Sequence, residues 1–127
     1  CNKPPWGVLT AIDLASGDLR WEIPLGSTRW MAPWPLWFDI GVPNQGGSIN
    51  TGSGLTFIAA TTDNAIRAFD TATGEELWED QLPAGGQATP MTYRLRKDSK
   101  QFLVIAAGGH GLLGTKIGDS VVAYALP

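Results

Sequence analysis

The sequence predicts an all-β fold, a fragment of about two four-stranded blades of a β-propeller. Three observations carry that prediction. The pattern A-[IF]-D-x-x-[ST]-G-[DE]-x-x-W occurs twice, as AIDLASGDLRW at 11–21 and AFDTATGEELW at 68–78, and every matched position is displaced equally. A second pair, LTFIAATTD at 55–63 and FLVIAAGGH at 102–110, aligns in the same way, Asp63 falling on His110. A glycine doublet precedes each member of that second pair, Gly46-Gly47 and Gly85-Gly86. Short β-rich runs recurring every roughly 40–60 residues are the sequence pattern of propeller blades.

The elements follow in order. Residues 1–26 read as the end of one blade, with strands VLTAID (8–13) and LRWEI (19–23). Between them Asp13 caps the turn through its side chain and Gly17 supplies the positive φ, the roles that Asp70 and Gly74 repeat in the next unit. Trp21 and Trp78 close the two motifs and read as structural pins between neighbouring blades, since a buried Trp removes roughly 150–250 Å² from water. Residues 27–45 break the rhythm: their three Trp and three Pro follow neither period 2 nor period 3.6, and they read as a covering loop with aromatic anchors. That loop either packs over the propeller edge or touches a membrane surface or a lipid-soluble partner.

Residues 46–81 complete one full blade: SINT, the run ending in IAA, AIRAFD and ELWED. Residues 82–127 give an incomplete last blade whose final run, SVVAYAL at 120–126, lacks the Asp, Gly and Trp of the motif. Two blades do not close a ring, so the missing strand is expected from the far end of a longer chain. Exposed blade edges then predict self-association of the isolated segment.

Composition narrows the function classes. The formal charge is −3, with the basic residues scattered, so nothing resembles a cationic stripe for nucleic acid. Cys1 is the single cysteine and lacks the partners of a disulfide, a metal site or a catalytic dyad. No apolar run reaches the ~18 residues of a membrane span. The extended start CNKPPWG, without Met, reads as a piece cut from a longer protein. GGHGLLG is not a phosphate loop, because no helix pattern follows it to aim amide dipoles at an anion. Lys116, in GTKIGD, reads as solvent-facing.

His110, the only histidine, is the candidate working residue. Asp63 and His110 both follow IAA and two small residues, where one strand ends and turns into the next. Equivalent turns of consecutive blades share one propeller face near the axis, so a carboxylate and an imidazole would converge on one mouth. An imidazole there suits hydrogen bonding to a hydroxyl or proton transfer near neutral pH.

At AxDxxxGxxxW the chain resembles the tryptophan-docking repeat of quinoprotein dehydrogenases, enzymes that use pyrroloquinoline quinone (PQQ). NKPPWGVLTAIDL, LPAGGQATPMTY and AGGHGLLGTKIGD…VAYALP are similar to the C-terminal end of the membrane-bound glucose dehydrogenase group and its quinate-type relatives. The resemblance runs over nearly the whole chain and is weakest in the loop at 27–43. It implies part of an eight-bladed propeller whose parent is anchored by an N-terminal membrane region and works on the periplasmic side of the inner membrane. It implies oxidation of a sugar, glucose foremost, or of a polyol, with electrons passing through PQQ to ubiquinone. It also implies a Ca²⁺ or Mg²⁺ ion whose ligands, like the general base, lie outside this segment, so no metal ligand is assigned here.

Two family positions carry over: Asp63 in TTDN, near the cofactor, and His110 in AGGHG, on the substrate and quinone side. Alone, the segment is expected to be inactive. A non-catalytic periplasmic scaffold with the same repeats is the alternative, and AGGHG with the long 110–120 loop speaks against it. The alcohol dehydrogenase group is disfavoured by NKPPWG and GTKIGD.

Overall fold

The computed structural model describes residues 2–125; Cys1 and the Leu126 end of the last predicted strand lie outside the described residues. Among the described residues, nine strands form three antiparallel sheets in chain order. The first holds β1 (Val8–Ile12) and β2 (Leu19–Pro24). The second holds β3 (Ser48–Asn50), β4 (Leu55–Ile58), β5 (Ala65–Asp70) and β6 (Glu76–Gln81). The third holds β7 (Met91–Arg94), β8 (Gln101–Ala107) and β9 (Ser120–Ala125). A 3₁₀ turn, Gly111–Leu113, separates β8 from β9. The chain is thus all-β, with a partial blade, a whole blade and a second partial blade.

The cores lie between the sheets. On one face of the middle blade Leu25, Ile58, Ala60 and Phe69 pack with Leu9 and Ile23 of the first blade. On the other, Ala59, Ile66, Leu82 and Ala84 meet Leu103, Ile105 and Ala107 of the third. Strand β5 is therefore covered on both sides and buried along nearly its whole length. Each large side chain sealed there, such as Phe69 or Ile66, contributes roughly 1.5–3 kcal/mol of burial.

The two repeated hairpins form by one chemistry. Asp13 Oδ1 accepts the N–H groups of Ala15 and Ser16, and Asp70 Oδ1 accepts those of Ala72 and Thr73. Both carboxyls are held below the usual aspartate value, Asp13 mainly by Arg20 and Asp70 by the Thr73 and Ala72 amides. Gly17 and Gly74 take φ of +79° and +77°, in the left-handed region that favours glycine. Trp21 lies over Gly74, where an added Cβ would come within 2.8 Å of the indole, and its Nε1–H donates to the Thr71 carbonyl at 3.2 Å. Trp78 instead meets Tyr124 edge to face at 5.0 Å, and the Tyr124 hydroxyl donates to Asp80 at 2.8 Å.

Two local expectations are corrected. The loop after β2 is not anchored by its aromatics: Trp30, Trp34 and Trp37 are exposed, Trp34 by 74%. Its anchors are Leu25 and Val42, each 1% exposed and joined by a 2.9 Å backbone hydrogen bond. The indoles turn to one another instead: Trp34 and Trp37 meet edge to face at 5.4 Å, and the Trp37 Nε1–H donates to the Ala32 carbonyl at 2.9 Å. The IAA run of the middle blade is not all strand either. β4 ends at Ile58, and Ala60 adopts φ +45° so that its N–H donates to the Gly86 carbonyl at 2.9 Å.

Candidate functional site

Asp63 sits in the turn between β4 and β5 and is fully buried. Its Oδ2 accepts the Ser27 N–H at 2.8 Å and the Arg67 guanidinium at 2.5 Å. Its Oδ1 accepts the Thr61 hydroxyl at 2.5 Å, the Ala65 N–H at 3.2 Å and a second Arg67 N–H at 3.3 Å. Arg67 is itself 2% exposed and reaches Glu79 at 2.6 Å. Burial pushes the Asp63 carboxyl up, but the Arg67 hydrogen bonds and charge, with the Ser27 amide and the Thr61 hydroxyl, outweigh it and hold the carboxyl below its ordinary value. Asp63 is an ionised hub that ties the root of the Trp/Pro loop to the middle blade.

His110 sits after β8 in the equivalent turn, half-buried. Its backbone N–H donates to the Thr115 hydroxyl at 2.7 Å. Its ring does the opposite of the Asp63 carboxylate: Nδ1 is buried with no hydrogen-bond partner among the described residues. Such a group costs about 1–3 kcal/mol when left unsatisfied. The loop that carries it is fastened by backbone to the second glycine doublet. The Gly109 N–H donates to Gly85 at 2.8 Å, and the Gly85 N–H donates to the Lys116 carbonyl at 2.9 Å. Lys116 is exposed.

The two turns are joined by one carboxamide. Gln87 Nε2 donates to the Thr61 carbonyl at 3.1 Å, and its Oε1 accepts the Thr115 hydroxyl at 3.2 Å. The sequence pointed to Asp63 and His110 but not to the residues that hold them: Ser27, Arg67, Gln87 and Thr115. Arg67 had a signal, a lone cation inside the apolar strand AIRAFD, which demands an acidic partner such as the residue four earlier. Gln87 had only its place after a glycine doublet.

No group of three or more His, Cys, Asp or Glu is placed to hold a metal ion among the described residues. The imidazole of His110, half-buried with Nδ1 sealed and unpaired, can offer a ligand oxygen only the outer edge of its ring. The Asp63 oxygens are already spent. No helix of the described residues is long and apolar enough to cross a membrane.

Residues 1–103 match the glucose/ethanol/alcohol dehydrogenase β-propeller domain of the PQQ type. The glycerol dehydrogenase large subunit of Gluconobacter thailandicus is 50% identical over 100% of this chain and 18% of its own length. Quinoprotein glucose dehydrogenase of Escherichia coli K12 is 48% identical over 100% of this chain and 16% of its own. Among solved structures, a quinohemoprotein alcohol dehydrogenase of Pseudomonas putida HK5 superposes with a TM-score of 0.58 at 28% identity, covering 80% of this chain and 12% of that one. The chain thus spans less than a fifth of the relatives it matches. It belongs to the PQQ-type glucose/ethanol/alcohol dehydrogenase β-propeller family.

Proposed function

We propose that this chain is the C-terminal propeller segment of a PQQ-dependent dehydrogenase that oxidises a sugar, glucose foremost, and passes the electrons to ubiquinone on the periplasmic side of the inner membrane. The observation that carries the reading is the His110 imidazole, unpartnered on a loop whose every other attachment is made by backbone or by Thr115. A buried ring nitrogen without a partner is a departure that a functional role explains. PQQ, when bound, supplies the two-electron acceptor. His110 orients the substrate hydroxyl or a quinone oxygen by hydrogen bonding, and Asp63 acts at one remove by holding Ser27, Thr61 and Arg67 in place. The general base and the Ca²⁺ or Mg²⁺ ligands belong to other blades, so the isolated segment is inactive.

A polyol is the second reading, favoured by the 50% identity to a glycerol dehydrogenase subunit; quinate is a third. PQQ-dependent dye reduction by the full-length protein, run against glucose, glycerol and quinate, tests all three. Turnover that requires PQQ and is fastest with glucose is expected. Turnover with none of them by a folded protein would return the chain to a non-catalytic scaffold.

A further inference from the structure

We infer that Gln87 is a positioning residue for His110, acting through Thr115. The inference rests on the dehydrogenase reading above only for its kinetic arm. Among the described residues, Gln87 is the side chain that bridges the two equivalent turns, and it uses both ends of its carboxamide to do so. The donor end satisfies the Thr61 carbonyl, and Thr61 in turn donates its hydroxyl to Asp63. The Thr115 hydroxyl has two acceptors in reach, the Gln87 Oε1 at 3.2 Å and the His110 carbonyl at 3.5 Å, and its oxygen accepts the His110 N–H at 2.7 Å. The nearer carboxamide oxygen holds the hydroxyl in place, and the hydroxyl in turn holds the backbone from which the imidazole projects.

The packing leaves the bridge little freedom. A Cβ added at Gly85 would collide with both Gln87 Oε1 and Thr115 Oγ1, and one at Gly46 would come within 2.9 Å of the Gln87 carbonyl. Gly85 thus admits the carboxamide between the turns, and Gly46 makes room for the Gln87 backbone. Neither half of the amide can be dropped: a glutamate loses the donor and sets an anion against the Thr61 carbonyl, and an alanine leaves both partners unpaired. Loss of one such hydrogen bond is worth roughly 1.4 kcal/mol, a factor of about ten in rate if it is felt in the transition state.

The test is a double-mutant cycle in the full-length protein. Gln87→Glu and Thr115→Val are each expected to lower kcat/KM about tenfold, with Thr115→Ser, which keeps the hydroxyl, retaining more activity than Thr115→Val. In a His110→Ala background Gln87→Glu is expected to have no further effect. An equal loss in both backgrounds would overturn the inference, because Gln87 would then act without His110. A second readout needs neither PQQ nor turnover: the His110 ring resonance of the apo protein, identified by its disappearance in His110→Ala. It is expected to move in Gln87→Glu and in Thr115→Val, in samples whose circular dichroism shows them folded. A resonance unmoved in both variants would also overturn it. A wild type without PQQ-dependent turnover would sink the dehydrogenase reading instead, and the resonance would still decide the role of Gln87.

Discussion

The turns at Asp63 and His110 occupy the same place in consecutive blades and have opposite fates. Asp63 is sealed, charged and held by four neighbours, Ser27, Thr61, Ala65 and Arg67. His110 is half-open, tied only through its backbone, and carries a ring nitrogen with no partner. The contrast teaches how a repeat divides labour. One turn spends its polar side chain on assembly, and the other is fixed by neighbours so that its side chain stays free.

The sharpest way to break this comparison is to remove the hub. Arg67→Ala leaves a buried Asp63 carboxylate without its cation and is expected to cost about 3–5 kcal/mol, read by chemical denaturation of the apo protein. His110→Ala under the same assay should shift stability by less than about 1 kcal/mol. Equal costs would erase the distinction between the turns.

Acid sharpens it further. The Asp63 carboxyl lies below its ordinary value of 3.8 in the folded protein, so the unfolded chain takes up the proton first. Its stabilisation is complete above that value and fades as the pH falls through the lower folded one. Asp63→Asn should therefore flatten the acid limb of the stability curve, read by chemical denaturation as the pH is lowered.

The two repeated hairpins offer a smaller test. Gly74→Ala must displace the Trp21 ring as well as hold a positive φ, while a Cβ at Gly17 would meet nothing within 4 Å. Gly74→Ala should cost about 1–3 kcal/mol more than Gly17→Ala, measured as paired shifts in the denaturation midpoint. Smallest of all, Trp34→Ser should change stability by no more than about 0.5 kcal/mol, since Trp34 is 74% exposed. A large loss there would make the Trp/Pro loop an anchored element after all.

How much of this could be read from the sequence follows from what repeats. The Asp–Gly–Trp motif announced the hairpins because its chemistry is local: a carboxylate over a turn, a glycine at positive φ, and an indole beyond it. The equivalence of Asp63 and His110 was legible for the same reason, two copies of one strand end. The bridge between them was not, because Gln87 reaches Thr61 and Thr115 across 26 and 28 residues, and no spacing rule links a glutamine to partners that far away. The aromatic anchors of the loop were not legible for a related reason: tryptophan content says what a segment can bury, and here Trp34 and Trp37 pack on one another within the loop.

The most direct test of the account is the steady-state kinetics of His110→Ala in the full-length protein, with PQQ bound and the thermal midpoint matched to wild type. The account predicts a fall in kcat/KM of at least about tenfold, the rate equivalent of one lost hydrogen bond to a reacting oxygen. Wild-type kcat/KM in that variant would contradict it and leave His110 as an ordinary turn residue.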